Sequence, residues 1–305
     1  MATVYGAVEA GGTKFVCLVG SGPDDVRRTT RIPTGEPGPT LAAVVDFFRE
    51  AVAAGEPIRA VGVGSFGPLE LRPTHPDYGR ILHTPKARWS GVDVVGPLRD
   101  GLGLPVAIET DVNAAALGEG RWGAARGYRS FVYVTVGTGI GGGAVVDGRL
   151  VAGLGHPEMG HLAVPRLAGD DFAGTCRYHR DCWEGFACGP ALAGRFGRPP
   201  EALTGADLAA AVRLEAAYLA LGLRALVYAL APERIVLGGG VPELPGLLEA
   251  TRAELVRSLG DYPGLAEHRG EDFLVRPGLG DRAGVLGALI VAERATPEGS
   301  NPPPG

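Results

Sequence analysis

The sequence lacks a net positive charge, a long apolar run and a secretion signal, and each absence excludes a class of protein. Its 305 residues have a formal net charge of −5, whereas a nucleic-acid-binding surface needs a basic face. No apolar run is long enough to span a bilayer, and the N-terminus lacks the charged and apolar regions of a secretion signal. The sequence therefore predicts a cytoplasmic protein without a nucleic-acid or membrane partner.

Length and composition predict a folded chain of one large or two ordinary domains. A hydrophobic fraction of 45% with 21% charged residues is typical of globular proteins, and strand patterns alternate with helix patterns, which favours an α/β fold. We expect an N-terminal domain at residues 1–114 and a C-terminal domain at 115–296, whose last helix packs on the first domain. The Pro/Gly/Ser-rich tail at 297–305 is predicted to be disordered.

Two glycine-rich segments, residues 4–13 (VYGAVEAGGT) and 132–141 (VYVTVGTGIG), resemble each other. In each, a β-rich run enters a turn of Gly and Thr and an apolar run leaves it, which predicts a β-hairpin. Such tips can wrap an anion, because nothing bulky covers their backbone amides; ordinary tight turns are the alternative. Two matched copies indicate a duplicated domain that closes on one polyphosphate. The predicted phosphate-binding residues are Gly11, Gly12, Thr13, Lys14, Gly137, Thr138 and Gly139.

Strands and helices are also predicted outside the hairpins. Gly238, Gly239 and Gly240 follow a buried strand and precede a helix, where adenosine or phosphate can lie against bare backbone; a tight strand–helix turn is equally consistent. Strands are predicted at 29–33, 60–64, 105–109, 149–152, 234–237 and 273–276, helices at 40–54, 92–101, 112–122, 207–230, 244–259 and 282–294, and an irregular segment at 155–189.

Asp111 lies where a predicted strand passes into a predicted helix. Asp at such a junction is often the N-cap of the helix, but the same position points a carboxylate toward the crevice where α/β folds bind ligands. Phosphoryl transfer to an alcohol needs a carboxylate of this kind to take the proton of the hydroxyl. Glu9, before the first turn, can hold Mg²⁺ through water or simply face solvent.

Cys176, His179 and Cys182 place three metal-binding side chains within seven residues, and His161 lies a short distance upstream. Two thiolates and two imidazoles complete a tetrahedral, structural zinc site. A disulfide between the cysteines is disfavoured without a secretion signal, and unconnected buried residues are the other alternative. The flanking side chains His156, Glu158 and Glu184 suit the hydroxyls of a polyol, or form a solvated loop face.

Taken together, these segments resemble the ROK family of sugar kinases, and within it the bacterial fructokinases, from Val4 to about Arg294. Thr110 stands where many hexose-specific members carry Asn, and Glu9 where many carry Asp; both are typical of the fructokinase branch. The segments that carry the resemblance are 9–14, 64–68, 84–86, 110–119, 137–141, 156–161, the Cys/His cluster and 238–240.

The resemblance implies an actin-like, ribonuclease-H-like fold whose two domains enclose ATP, Mg²⁺ and a sugar in a cleft. It implies an ATP-dependent, homodimeric fructokinase in which Asp111 is the base toward the 6-hydroxyl and His161 binds both sugar and zinc. A kinase for glucose or mannose is the alternative, and a non-catalytic sugar sensor is less favoured because no DNA-binding module precedes the first strand. The expected sugar-binding residues are Gly67, Asn113, Glu158, His161 and Glu184.

Overall fold

The chain, described over residues 2–296 in a computed structural model, divides into two compact units. The first unit comprises the described residues up to Arg126, the segment Val151–His156, and the described residues from Asp281 onward. The second unit comprises Gly127–Leu150 and Pro157–Gly280. Each unit therefore contains one of the two glycine-rich segments.

The predicted domain boundary at residues 114/115 falls inside a helix that runs from Asp111 to Trp122. That helix lies entirely in the first unit, as does the last helix of the described chain. The predicted tail at 297–305 lies outside the described residues.

Residues 2–296 contain ten β-strands and eight α-helices. None of these helices is both long and apolar enough to cross a membrane. The strands are β1 (Val4–Ala10), β2 (Lys14–Gly22), β3 (Asp25–Pro33), β4 (Ile58–Ser65), β5 (Val106–Thr110), β6 (Phe131–Val136), β7 (Ile140–Val146), β8 (Arg149–Leu150), β9 (Arg234–Gly238) and β10 (Leu274–Val275). The helices are α1 (Pro37–Ala53), α2 (Val95–Leu102), α3 (Asp111–Trp122), α4 (Trp183–Ala187), α5 (Gly189–Phe196), α6 (Gly205–Leu230), α7 (Leu247–Leu259) and α8 (Ala283–Arg294).

The two units carry sheets of the same topology. The first sheet has the order β3-β2-β1-β4-β5, and the second, read from its other edge, has the order β8-β7-β6-β9-β10. In both sheets, the first three strands in sequence pair antiparallel with each other. The fourth strand pairs in parallel with the first, and the fifth pairs in parallel with the fourth. This correspondence, strand for strand, supports the duplication that the paired glycine-rich segments predict.

Helices cover both faces of the first sheet. A Cβ atom on Gly6 would lie 2.7 Å from a ring carbon of Phe48 in α1, so α1 packs on the face to which Gly6 and its neighbour Val61 point. Gly62 points to the opposite face, where a Cβ atom would lie 2.0 Å from the carbonyl oxygen of Ala288 in α8. The missing side chain at Gly62 thus allows the last helix to lie directly on β4.

The predicted hairpins are present as β1–β2 and β6–β7. The segment predicted to be irregular differs in part, because its end forms α4, only five residues long. Trp183 in α4 is fully buried and packs against Gly222 of α6, and its indole nitrogen donates to the carbonyl oxygen of Tyr218 at 3.0 Å. Tertiary packing therefore stabilises a helix too short to be stable alone.

Glu215, on α6, is a fully buried carboxyl group in the second unit. Neither of its carboxyl oxygens has a hydrogen-bond partner among the described residues. Burial raises the pKa of Glu215 to about 8, although the charge of Arg195 opposes the shift. The folded protein therefore binds a proton that the unfolded chain, with an ordinary glutamate, releases at neutral pH.

Glu215→Gln is expected to stabilise the protein more at alkaline than at acidic pH. Because the folded-state pKa lies above the unfolded value, the wild type loses stability as the pH rises from about 4.5 to about 8. Glutamine resembles the protonated acid and does not ionise as the pH rises. The melting temperature of the variant should therefore exceed that of the wild type at pH 8.5 and nearly match it at pH 4.5. Exposed Glu249 of α7 provides the control Glu249→Gln; a gain that does not change with pH would contradict the argument.

Candidate active site

The first turn, Gly11-Gly12-Thr13, connects β1 to β2 and is held at its tip by Lys86. The Gly11 amide donates to the carbonyl oxygen of Lys14 at 3.0 Å, and the Lys86 ammonium donates to the carbonyl oxygen of Gly12 at 2.6 Å. Gly12, Thr13 and Lys14 are exposed. A fixed turn with an exposed tip is suited to binding an anion.

Asp111 is the first residue of α3, and the N-cap of that helix is Thr110. The Thr110 hydroxyl accepts from the Asn113 amide at 3.1 Å, which is the capping bond. One Asp111 carboxylate oxygen, Oδ1, accepts from the Val112 amide at 2.9 Å. Thr110, and not Asp111, therefore caps the helix. Asp111 lies half-buried, directly after the C-terminal end of β5.

A second carboxylate organises this helix start. Glu109 Oε1 accepts from the Thr110 amide at 2.9 Å and from the side-chain nitrogen of Asn113 at 2.8 Å. Asn113, a predicted sugar-binding residue, is only 1% exposed, and its side-chain oxygen has no partner among the described residues. The helix start that carries Asp111 is thus fixed by both a cap and a side-chain network.

Glu9 lies on β1, close enough to Asp111 for their charges to interact. Burial and, next, the negative charge of Asp111 raise the pKa of Glu9 to about 7, although Lys14 opposes the shift. Gly284 of α8 packs on the Glu9 side chain, since a Cβ atom there would lie 2.4 Å from a carboxylate oxygen. A cation beside these two carboxylates would favour the ionised form of Glu9, so the pair fits a divalent metal.

Gly67 and His156 are also in the first unit. His156 Nε2 accepts from the Leu69 amide at 3.0 Å, and its ring lies 3.5 Å from where a Cβ atom on Gly67 would stand. The first unit therefore contains the predicted residues Glu9, Gly11, Gly12, Thr13, Lys14, Gly67, Asp111 and Asn113.

The second turn, Gly137-Thr138-Gly139, connects β6 to β7 in the second unit. The Gly137 amide donates to the carbonyl oxygen of Gly139 at 2.9 Å. Gly239 has a φ of +94°, and a Cβ atom there would lie 2.3 Å from the carbonyl oxygen of Val136. The triple glycine therefore packs against the end of β6, beside the turn, where only glycine fits.

A cavity of about 720 Å³ opens beside the second turn. Its walls include Gly137 and Thr138 of the turn and Gly240 of the triple glycine. The rest of the lining is mainly apolar and comes from α5, from Leu208 of α6 and from several residues within 199–203 and 241–245. A mainly apolar cavity that ends at bare amides can take a base and ribose at one end and phosphates at the other.

The four predicted metal ligands come together in the second unit. Their ligand atoms, from His161, Cys176, His179 and Cys182, all lie within 4.8 Å of one another. The Nδ1 atom of His161 lies 3.6 Å from each sulfur, and that of His179 lies 3.8 Å from the Cys176 sulfur. A tetrahedral zinc ion separates its sulfur and nitrogen ligands by about 3.6 Å, so the spacing fits zinc.

The Cys182 thiol also favours a bound cation. Burial raises the pKa of the Cys182 thiol to about 12, although a backbone hydrogen bond at Gly185 opposes the shift. The Cys182 thiol would therefore stay protonated at neutral pH unless a bound metal ion stabilised its thiolate.

The remaining predicted sugar contacts lie around this cluster. Glu158 precedes a 3₁₀ turn at Met159–His161, and its carbonyl oxygen accepts from the His161 amide at 3.0 Å. Glu184, in the first turn of α4, accepts through Oε2 from the Ile140 amide at 2.9 Å. This last bond, between residues 44 apart in sequence, has no signal in the sequence.

The sequence matches one protein family and is similar to proteins of known function. The family model described as the ROK family matches residues 5–295. The chain is 42% identical over 294 residues to a fructokinase of Zymomonas mobilis subsp. mobilis, with 95% of this chain and 96% of that protein covered. It is 38% identical over 292 residues to a fructokinase of Pediococcus pentosaceus, with 96% and 98% covered.

A solved structure shows the same fold. The crystal structure of a ROK hexokinase from Thermus thermophilus matches with a TM-score of 0.75 at 31% identity, over 95% of this chain and 98% of that chain. Together with the duplicated sheets, this likeness confirms the predicted α/β, actin-like ATPase fold of two domains.

Proposed function

The chain belongs to the ROK family, and from that premise we propose that it is an ATP-dependent fructokinase that makes fructose 6-phosphate. The observation that carries the proposal is the identity of 38–42% to fructokinases over nearly the whole length of both chains. The kinases of this family use ATP, a divalent metal and a sugar, and the two turns, the Glu9–Asp111 pair and the second-unit cavity supply groups of the kind that ATP and the metal require.

Asp111 is the proposed catalytic base. As the 6-hydroxyl oxygen of fructose attacks the γ-phosphorus of ATP, a new oxygen–phosphorus bond forms and the bond to the bridging oxygen of ADP breaks. The hydroxyl proton passes to the Asp111 carboxylate. The Thr110 cap and the Glu109 network hold that carboxylate at the start of α3, which favours a defined direction of proton transfer.

The two turns are the proposed phosphate-binding groups. Amides of Gly11, Gly12 and Thr13 in the first unit, and of the second turn in the second, offer donors to phosphate oxygens. The Lys14 side chain adds a positive charge near Glu9. When bound, Mg²⁺ would neutralise phosphate charge, with Glu9 holding it through water.

The cavity beside the second turn is the proposed adenosine site. Its apolar walls suit the faces of a base, and Gly240 lets the nucleoside approach the backbone closely. Gly238 and Gly239 keep the strand end compact behind it.

The Cys/His cluster is proposed to bind zinc as a structural ion. The cluster supplies four protein ligands, which fill the tetrahedral coordination of zinc and leave no open position for catalysis. Glu158, His161 and Glu184 around it, with Gly67 and Asn113 in the first unit, are the proposed sugar contacts. We also propose a homodimer, on the family resemblance; light scattering would then report twice the mass of the chain.

A panel of sugars tests the proposed substrate. With ATP and Mg²⁺, coupled detection of ADP release should give the highest kcat/KM with fructose, at least tenfold above glucose and mannose. A higher value for glucose or mannose would make the protein a kinase for that hexose, as the hexokinase likeness allows. If none of the sugars in the panel supports ADP release, the protein would have only a sugar-binding role.

A further inference from the structure

The side chain of Glu184, a proposed sugar contact, is hydrogen-bonded beside the second turn, which is proposed to bind the phosphates of ATP. Its Oε2 atom accepts from the amide of Ile140, the first residue of β7 and the next residue after the second turn. A Cβ atom on Gly139 would lie only 2.4 Å from the same oxygen. The carboxylate therefore lies against the turn itself, in a space that exists because residue 139 is glycine.

The same segment of chain holds the other end of the turn. The Gly189 amide, at the start of α5, donates to the carbonyl oxygen of Gly137 at 2.8 Å. Gly189 also lines the cavity proposed for adenosine. The second turn and the residue after it are thus bonded, at Gly137 and at Ile140, to residues 184–189, which extend from α4 to the start of α5.

The metal cluster fixes the beginning of that segment. Cys182 is the N-cap of α4, two residues before Glu184. The Trp183 amide donates to the carbonyl oxygen of Leu162, the residue after the ligand His161, at 2.8 Å. A helix of five residues is not stable by itself, so its position depends on these attachments together with the packing of Trp183 against α6.

We propose that Glu184 is a positioning residue for the second turn and that the metal centre holds it in place through α4, so that metal occupancy controls nucleotide affinity. This inference rests on the proposed function, because it takes the second turn to bind the phosphates of ATP. The metal would then support the nucleotide as well as the sugar. Without the Glu184 acceptor the Ile140 amide loses its partner, and the turn loses one of its two attachments to residues 184–189.

Nucleotide binding without sugar separates this role from a sugar contact. We would measure the Kd of the β,γ-imido analogue of ATP, with Mg²⁺ and no fructose, by calorimetry. Glu184→Ala should weaken binding about tenfold or more, as expected for the loss of a hydrogen bond to a charged acceptor. Glu184→Gln should stay within about threefold of the wild type, because its side-chain oxygen can still accept from Ile140.

Glu233 provides a matched control. Its carboxylate accepts from the amides of Arg129 and Ser130, both at 2.8 Å, at the end of β6 away from the turn. Glu233→Ala removes a carboxylate from the backbone of the same hairpin, so it should leave the nucleotide Kd unchanged. An equal loss in Glu233→Ala would mean that hairpin stability alone sets the affinity, and would overturn the inference.

Removal of the metal provides a second test of the link between the metal centre and nucleotide affinity. The chelator-treated wild type should bind the analogue as weakly as Glu184→Ala, and chelation of Glu184→Ala should add little, because both changes release the same contact. Unchanged nucleotide affinity in either Glu184→Ala or the metal-free wild type would overturn the inference, even if the KM for fructose rises. Failure of the untreated wild type to bind the analogue would instead contradict the proposed function, and the inference with it.

Discussion

Asp111→Asn and Asp111→Ala are expected to lower the turnover of fructose about 10²- to 10⁴-fold, the usual contribution of a general base. Asparagine keeps the size of the side chain and can still accept from the Val112 amide, but it cannot take the hydroxyl proton. Fructose binding should remain largely intact, because the base acts on the proton in the transition state and not mainly on the bound sugar. Turnover is measured by coupled ADP release, and sugar affinity by calorimetry.

The folded state needs its own control in this experiment. Loss of a negative charge from the first turn of α3 costs about 0.3–1 kcal/mol of helix stabilisation, so melting temperatures should fall only slightly. Asp46→Asn, on the exposed face of α1, removes a helical aspartate away from α3 and should keep wild-type turnover. Near-normal turnover in either Asp111 variant would remove this residue as the base.

Loss of the metal is expected to abolish most of the activity and to loosen the loop around the cluster. Cys182→Ser removes one of four ligands and should reduce bound metal from one ion per chain to nearly none. Because metal binding contributes directly to folding, the melting temperature should fall on the order of 10 °C. Metal content is measured by mass spectrometry, and unfolding by calorimetry.

Another buried cysteine separates metal loss from a packing defect. Cys17, on β2 in the first unit, is fully buried and is not a member of the cluster. Cys17→Ala should keep one metal ion per chain and most of the activity. A metal-free Cys182→Ser protein with full activity would show that the cluster has no part in the function.

The hairpins and the duplicated topology could be predicted because their signals are local. Small residues at a turn, between runs of β-formers, specify a hairpin wherever they occur, and the repeat at residues 4–13 and 132–141 indicates two equivalent halves. The cluster was predictable for a similar reason, since three of its ligands lie within seven residues. All four predicted ligands lie within reach of one ion.

The assignment at the start of α3 shows a limit of sequence reasoning. Thr and Asp are both favourable N-caps, and Thr110 and Asp111 are adjacent, so composition does not decide which one caps. The structure assigns the cap to Thr110, which leaves Asp111 in the first helical position. A one-residue difference decides whether the Asp111 carboxylate is used as the cap.

Contacts between distant segments could not be predicted at all. Glu184 and Ile140 are 44 residues apart, and α4 is too short to show helical periodicity. Glu215 lies in a helix whose Ala- and Leu-rich sequence predicts the element correctly but does not show which face is buried. Such features depend on tertiary packing, and here they include the proposed link between metal and nucleotide.

The most direct test of the central claim is the NMR spectrum of the product formed by the wild-type protein from fructose, ATP and Mg²⁺. We predict one phosphorylated sugar, fructose 6-phosphate, in a one-to-one ratio with ADP. A phosphate at another carbon, or ADP that accumulates with inorganic phosphate and no sugar phosphate, would contradict the account.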